Sequence, residues 1–369
     1  MDFGASPLNE VDALIFCQLS YMKLDGLVRA EFGGTQEKKR TLKEVAESFA
    51  AASDYDERSN MGALINEQSP ALLLAAGRSM RFGNLEVSGF INKIDEENDE
   101  QFSAITFSYG AAWNFIAYRG TDDSIVGWKE DCQLAYMDSV PAQLDALSYF
   151  GKAAAALEGN FYLGGHSKGG NLALYSAAKA DADLQKKILS VYDNDGPGFP
   201  KAFFSSSGYL AIADRLWTFV PRLSIVGMLF SNSDNYITVE NNLKNMVMQH
   251  DPFTWQVGSC SFVRCDGLGA ESRFVSRTLN EWFMSLSLEE KKVFVESLFQ
   301  VLEGSNAKTN FELTKNWFES LLGMKKSYDS LPKASRETMW KNIQLLVKIV
   351  ADEAAKKFFR KSDGGELQA

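Results

Sequence analysis

The stretch Phe161-Tyr162-Leu163-Gly164-Gly165-His166-Ser167-Lys168-Gly169-Gly170 joins a short apolar strand to an Ala-rich helix through a glycine-rich turn. Its residues 165–169 fit Gly-x-Ser-x-Gly, the pattern of a nucleophile elbow, in which a tight turn holds a serine in strained geometry. The serine hydroxyl then lies at the carboxyl edge of the sheet, where open α/β sheets place their ligands. The pattern predicts Ser167 as a nucleophile and the backbone N–H of Lys168 as an oxyanion donor.

The stretch allows two other interpretations. A plain strand-to-helix turn with a solvent-facing serine is the simpler one, because the bare pattern often arises by chance. A phosphate-binding loop is disfavoured, because no Lys-Ser or Lys-Thr pair follows the glycines. The strand before the turn and the helix after it favour the nucleophile.

The base that a serine nucleophile requires follows by elimination. Imidazole is the usual choice because its pKa lies near neutrality, and the chain has only two histidines, His166 and His250. His166 adjoins the serine, where neighbouring side chains diverge, so packing or a local hydrogen bond is expected of it. We predict His250 as the base, against the alternative of an ordinary surface histidine. Its position after the serine agrees with the chain order of α/β-hydrolase triads.

The acid that should orient the imidazole has several candidates. Asp193 and Asp195 directly follow a buried strand, whereas Asp214 falls in a predicted helix and Asp234 in a polar loop. We favour the pair after the strand, with Asp195 ahead of Asp193. At least one of the two is expected to cap the Gly-Pro-Gly turn that follows.

Hydrophobic periodicity predicts a central sheet with helices on both faces. Strands alternating with helices indicate a mostly parallel sheet. Predicted helices cover 8–30, 41–76 in two pieces, 140–157 and 170–180, and predicted strands cover 87–94, 102–109, 113–118, 161–164, 188–192 and 216–220.

The pattern changes after about residue 271, where three amphipathic helical stretches follow without a strand, at 274–299, 311–322 and 335–359. We therefore predict an α/β domain over 1–270, with N-terminal helices, and a C-terminal helical extension over 271–369. The extension is expected to be an added layer on the core, with a partner-binding module as the alternative.

Composition narrows the class of protein. Hydrophobic residues make up 45% of the 369 residues and charged residues 23%, which suits a packed globular chain. The formal net charge is −10, and no basic stripe is interleaved with aromatic residues. Both features disfavour nucleic-acid binding.

Targeting and redox signals suggest a cytoplasmic protein. The first ten residues lack the basic and apolar regions of a signal peptide, and no apolar run approaches the roughly 18 residues that span a bilayer. The four cysteines have no zinc or redox spacing, so reduced thiols are expected, although one disulfide remains open. Two histidines make a Cys/His metal cage hard to assemble, so neither a metal nor another cofactor is expected.

With these residues identified, the chain resembles the class 3, fungal-lipase-like branch of the α/β-hydrolases. Within that branch it looks most like an uncharacterised bacterial family of lipase-like proteins. The similarity covers roughly residues 10–260 and rests on four segments: Asp12 to Ile15 with Leu19 to Tyr21; Ala117 to Asp122 with Trp128 and Asp131; Gly165 to Asn171; and Asp195 to Phe199 through Val220-Pro221 to Gln249-His250-Asp251.

The second segment of this resemblance implies a second oxyanion donor. In the lipases, the residue that matches Thr121 lends its backbone N–H, and often its hydroxyl, to the oxyanion hole. The residue pattern agrees, because a strand that ends at Tyr118 and a glycine turn stand where α/β-hydrolases keep that donor. Ordinary turn chemistry is the alternative.

The chain departs from the lipase pattern at the triad acid. The lipases have an aspartate shortly before their Val-Pro, whereas Trp217, Thr218 and Phe219 precede Val220-Pro221 here. An acid after the preceding strand is known in other lipase branches, which supports Asp195 or Asp193. The resemblance also implies a lid after the oxyanion segment, residues 119–121. Apolar residues in 123–141 could form this lid, and ordinary core packing of these residues is an equal alternative.

The combined prediction is a carboxylic-ester hydrolase that uses a Ser-His-Asp triad and an acyl-enzyme to act on a small-molecule ester or lipid. Two alternatives stay open. A catalytically inactive binding protein with this fold is one, and a thioesterase, peptidase or acyltransferase with the same nucleophile is the other. The oligomeric state is not predicted.

Overall fold

The computed structural model of the chain describes residues 1–32, 40–62, 65–230, 235–305, 307, 309 and 317–363. Its centre is one eight-stranded sheet whose spatial order follows the chain order. The strands are β1 (Arg40–Thr41), β2 (Glu86–Asp95), β3 (Glu100–Tyr109), β4 (Trp113–Tyr118), β5 (Asn160–His166), β6 (Ile188–Asn194), β7 (Leu216–Pro221) and β8 (Ile237–Val239).

The first four strands pair antiparallel, and the four pairings from β4 to β8 are parallel. Helices cover both faces, as parallel strands require. They are α1 (Glu10–Leu19), α2 (Leu42–Ala50), α3 (Tyr55–Ser59), α4 (Ser69–Arg78), α5 (Ile125–Gln133), α6 (Pro141–Ala156), α7 (Lys168–Lys179), α8 (Ala182–Lys186), α9 (Ser207–Leu210), α10 (Ala270–Ser285), α11 (Leu288–Glu303), α12 (Trp317–Ser330) and α13 (Lys333–Asp363). The predicted α/β-hydrolase fold, with its mostly parallel sheet and C-terminal helices, is confirmed.

The core has two halves, one on each face of the sheet. Successive side chains of a strand point to opposite faces, so the neighbours Phe115 and Ile116 of β4 belong to different clusters. Phe115 packs with Phe16 of α1, at a ring-centroid distance of 4.7 Å. Ile116 belongs to the cluster of α6 and α7, with Phe150. The parallel strands are thus packed on both faces. This packing fixes the position of the sheet edge where their carboxyl ends meet.

The N-terminal helix is shorter than predicted. Asn9 caps α1 by accepting hydrogen bonds from two backbone N–H groups of the first turn. The helix ends at Leu19, where the Ser20 hydroxyl donates to the Cys17 carbonyl at 2.7 Å and competes with the helical pattern. The prediction of a helix over 8–30 is therefore wrong beyond Leu19, because the later apolar residues are buried by an irregular segment. Three helices, α2 to α4, replace the two predicted over 41–76.

The C-terminal part forms helices that pack on each other and on the core. The predicted helix over 274–299 is broken in two, because Ser287 caps α11 in a capping box with Glu290. The Trp282 indole donates to the Asn342 carbonyl at 2.9 Å and joins α10 to α13. Residues 311–316 of the predicted helix over 311–322 lie outside the described residues. The division into 1–270 and 271–369 stays a prediction. None of the described helices is long and apolar enough to cross a membrane.

Candidate active site

Ser167 lies between β5 and α7 at the carboxyl edge of the sheet, half-buried and in left-handed backbone geometry, with φ of 58°. Its N–H donates to the Asn194 carbonyl at 3.0 Å, which ties the turn to β6. The flanking glycines are required by close approach. A Cβ on Gly165 would lie 2.0 Å from the carbonyl carbon of Gly169, and one on Gly169 would lie 2.2 Å from the Tyr118 carbonyl oxygen. The turn therefore holds the serine in a strained, half-buried position, as an elbow does.

The segment after β4 lies directly against this turn. A Cβ on Gly120 would stand 3.1 Å from the Cβ of Ser167 and 2.5 Å from the His166 carbonyl oxygen. The next residue, Thr121, donates its hydroxyl to Asp131 of α5 at 2.6 Å. That hydroxyl is engaged by a carboxylate, so the backbone N–H of Thr121 is the group available for a reacting oxygen.

Asp131 is an ionisable group beside the oxyanion segment that the residue pattern did not assign. Burial raises the pKa of Asp131 to about 6, although the Lys168 ammonium and the Thr121 hydroxyl favour its carboxylate form. The ammonium nitrogen of Lys168 lies 3.9 Å from its second oxygen. Ionised Asp131 holds Thr121 in one orientation.

Lys168, which follows the serine, is fully buried. Its ammonium group donates to the Glu130 carboxylate at 2.7 Å and to the Gln101 carbonyl at 2.9 Å. The elbow pattern predicts a role only for the backbone N–H of this residue. The sequence offered one sign of this contact. Lys168 stands in the first turn of an otherwise buried helix, where its side chain needs an acidic partner.

His250 and Asp195 are brought together, although 55 residues separate them. The imidazole Nδ1 lies 2.6 Å from an Asp195 carboxylate oxygen, and the histidine side chain is 27% exposed while the carboxylate is fully buried. Nδ1–H donates to the carboxylate, so Nε2 carries the free lone pair. The ring centroids of His250 and His166 are 4.5 Å apart, which places His250 beside the elbow.

The buried carboxylate of Asp195 is stabilised by further donors on its other oxygen. Ser224 donates its hydroxyl at 2.5 Å, and Gly227 donates its N–H at 3.1 Å. A Cβ on Gly227 would lie 2.3 Å from that oxygen, so the loop approaches closely because the residue is glycine. Hydrogen bonds to the charged form offset the cost of burying it, and the carboxylate is fixed for its contact with His250.

Asp193 occupies a different environment although it is only two residues away. Its carboxylate accepts the Gly196 N–H at 3.0 Å and so caps the turn, as was expected of one member of the pair. Burial raises the pKa of Asp193 to about 8. Its hydrogen bond to Gly196 stays within the turn, whereas Asp195 contacts the imidazole.

Replacing Asp193 by Asn should stabilise the protein increasingly as the pH rises. Folding raises the pKa of this carboxyl from 3.8 to about 8, so the folded state binds a proton that the unfolded state has released. Its contribution to stability is full below about pH 4 and falls by up to about 1.4 kcal/mol per pH unit until pH 8. Asn keeps an acceptor oxygen for Gly196 and does not ionise.

We expect the Tm advantage of D193N over wild type to grow between pH 5 and pH 8, with D214N at an exposed carboxylate as control. A constant difference across that range would contradict this assignment.

His166 links the elbow to the segment that carries His250. Its Nε2 lies 2.8 Å from the His250 carbonyl oxygen and donates to it, and its Nδ1 lies 3.2 Å from the Tyr21 hydroxyl. Burial holds the pKa of His166 well below its usual range, so the ring is neutral. The sequence predicted packing or a local hydrogen bond for His166. It did not predict the His250 carbonyl as the acceptor, which lies in a distant loop.

Of the remaining acid candidates, Asp214 does not join the site, because it is 81% exposed and lies beside Arg215. Asp234 falls outside the described residues. Within the described part of the chain, no group of three or more His, Cys, Asp and Glu side chains could hold a metal ion.

Comparison with known proteins identifies one family. The sequence model of a family described as Mbeg1-like matches residues 76–300, more than half of the chain. Among solved structures, the M37 lipase matches with 15% identity over 59% of this chain and 68% of its own, with a TM-score of 0.33. A mutant form of MDLA from Penicillium cyclopium matches with 12% identity over 69% and 83%, with a TM-score of 0.36. No curated protein matches the sequence.

Proposed function

This chain belongs to the Mbeg1-like family, and from the geometry of its site we propose that it is a lipase-like serine hydrolase that cleaves carboxylic esters. The proposal rests on one observation. Ser167 sits on a strained elbow, and beside it the imidazole of His250 donates to the buried carboxylate of Asp195 at 2.6 Å. A serine, a base and an acid that orients the base are the three parts of a Ser-His-Asp triad.

In the proposed reaction, His250 acts as general base and then as general acid. Its Nε2 takes the proton of the Ser167 hydroxyl while the serine oxygen attacks the ester carbonyl carbon. The tetrahedral intermediate collapses when the imidazolium returns that proton to the leaving alcohol, which leaves an acyl-enzyme. A water molecule, deprotonated by His250, then attacks the acyl carbon. The imidazolium returns this proton to the Ser167 oxygen as the acid is released, which restores the free enzyme. Asp195 keeps the imidazole in the Nδ1–H tautomer and stabilises its charged form.

The oxyanion of each intermediate is proposed to accept hydrogen bonds from the backbone N–H groups of Lys168 and Thr121. The close approach of Gly120 to the Cβ of Ser167 supports this pairing. Donors that are fixed before the reaction stabilise developing charge without reorganising. These residues account for each step with no metal or organic cofactor.

The proposed substrate is a small-molecule ester or lipid, and the proposed location is the cytoplasm. The four cysteines are all free, as a reducing compartment would leave them. A thioester, an amide or transfer of the acyl group to another acceptor would use the same attack, so a panel of acyl donors separates these activities.

The test is covalent labelling of the folded protein with a fluorophosphonate probe, followed by peptide mapping. We expect one probe per chain, attached to Ser167, and no labelling after heat denaturation. Unlabelled protein should be screened in parallel against p-nitrophenyl esters of increasing chain length. Folded protein that neither reacts with the probe nor hydrolyses any ester of the series would overturn the proposal in favour of a binding protein with this fold.

A further inference from the structure

The helix α5 follows the oxyanion segment, where the resemblance to lipases implied a movable lid. We propose instead that α5 is a fixed wall of the site, and that a buried ion pair between its Glu130 and Lys168 of the elbow clamps it in place. In this role Glu130 and the Lys168 side chain are positioning residues for the two oxyanion donors. This inference rests on the proposed function of the site.

The ion pair is isolated from solvent. The side chains of Lys168 and Glu130 are both 0% exposed, and their charged atoms are 2.7 Å apart. Moving α5 outwards would separate a buried ammonium from its carboxylate. Removing one partner of such a pair is strongly destabilising, because the remaining charge is left without compensation.

The Glu130 carboxylate also joins α5 to two further elements. The oxygen that accepts from Lys168 accepts the Gln101 N–H of β3 at 3.1 Å, and the other oxygen accepts the Ala142 N–H at the start of α6 at 2.9 Å. The Lys168 ammonium closes the arrangement by donating to the Gln101 carbonyl. One carboxylate therefore ties the helix to the sheet, to α6 and to α7, and opening α5 would break all these bonds together.

One side of α5 packs on α11 of the C-terminal helices. Ile125 of α5 packs in one apolar cluster with Val295 and Phe299 of α11, all of them buried. At the edge of this contact, Lys129 lies 2.9 Å from Asp99 and 3.6 Å from Glu303 of α11. Trp128 of α5 is 40% exposed, but opening the helix would break its contact with α11 as well as the buried ion pair.

The clamp acts on both oxyanion donors at once. Lys168 supplies one donor from its own backbone, and the ion pair fixes its side chain. The other donor, Thr121, is held to α5 through its hydrogen bond to Asp131, the neighbour of Glu130. The hydrolase should therefore act on dispersed, monomeric esters at full rate and need no lipid surface to open the site.

The experiment combines amide hydrogen exchange of residues 125–133 with steady-state kinetics on p-nitrophenyl butyrate, both with and without phosphatidylcholine vesicles. In wild type we expect slow exchange that the vesicles leave unchanged, and no jump in rate. In E130Q we expect faster exchange and a kcat lowered about ten- to hundredfold, as for a weakened oxyanion hole, with KM within about twofold. The matched control is E158Q, the same change at an exposed glutamate between α6 and β5, and it should match wild type in both measurements.

Vesicle-induced exchange in wild type together with a jump in hydrolysis would show a mobile lid and overturn the inference. Wild-type exchange and kcat in E130Q would also overturn it. If E130Q does not fold, the double variant E130Q/K168M removes both charges together, and it should fold but keep the fast exchange and low kcat. The exchange measurement does not depend on turnover. An inactive wild type with a protected α5 would therefore reject the proposed function and leave the clamp standing.

Discussion

Ser167→Ala is expected to lower kcat for ester hydrolysis by about 10⁴- to 10⁶-fold and to abolish fluorophosphonate labelling. The variant lacks the oxygen that forms the acyl-enzyme, so the remaining rate comes only from substrate binding and the oxyanion donors. Thermal stability should stay close to that of wild type or rise slightly. Ala replaces a half-buried serine whose side chain is not needed to form the turn, and the strained backbone is common to both proteins.

The matched control for this variant is Ser205→Ala. Ser205 is exposed, and its hydroxyl donates only to the Ala202 carbonyl of its own turn, at 3.1 Å. S205A should hydrolyse esters and react with the probe as wild type does. Equal activity in S167A and wild type would remove Ser167 from the mechanism.

Asp195→Asn is expected to lower kcat by about 10⁴-fold, while Asp193→Asn should leave it within about threefold of wild type. Asn has nearly the size of Asp but carries no charge, so it neither stabilises the imidazolium nor holds the Nδ1–H tautomer that leaves Nε2 as the base. Asp195 lies 2.6 Å from Nδ1 of His250, whereas Asp193 contacts the Gly196 N–H. The same change two residues apart therefore separates a catalytic carboxylate from a structural one.

Steady-state kinetics and probe-labelling rates of the two variants, at matched thermal stability, decide between these carboxylates. Reversed results, with D193N inactive and D195N active, would assign the triad acid to Asp193. Full activity in both variants would mean that His250 works without a carboxylate partner.

Residue pattern and chain order restricted the acid to a pair and put Asp195 ahead of Asp193, but they gave no contact that distinguishes the two. Asp193 lies near the end of β6 and Asp195 directly follows the strand, and both precede the same turn. The structure distinguishes them, because Asp195 has φ of 55° and its carboxylate is reached from the loop after β7 by Ser224 and Gly227. That loop lies about 30 residues downstream, and no local pattern records which aspartate it approaches.

The ends of the helices likewise depend partly on local sequence signals and partly on the tertiary structure. Capping residues mark the start of α1 and of α11 locally, and these signals are readable in the sequence. The end of α1 is decided by the burial of apolar residues after Leu19 in an irregular segment. Helical periodicity cannot reveal this, because apolar residues at the same spacing also fit a buried loop.

The sequence by itself determined the sheet, the elbow and the pool of candidate residues for the site. These features depend on short-range physics: alternating apolar residues make strands, and glycines at 165 and 169 permit a turn that no larger residue could form. Tertiary structure alone decided which aspartate meets His250, that His166 holds the loop of His250, and that Lys168 is paired with Glu130 beneath α5. Each of these contacts joins residues at least 38 positions apart. Such contacts are selected by the packing of whole elements, because a buried charge must find its partner wherever the fold places one.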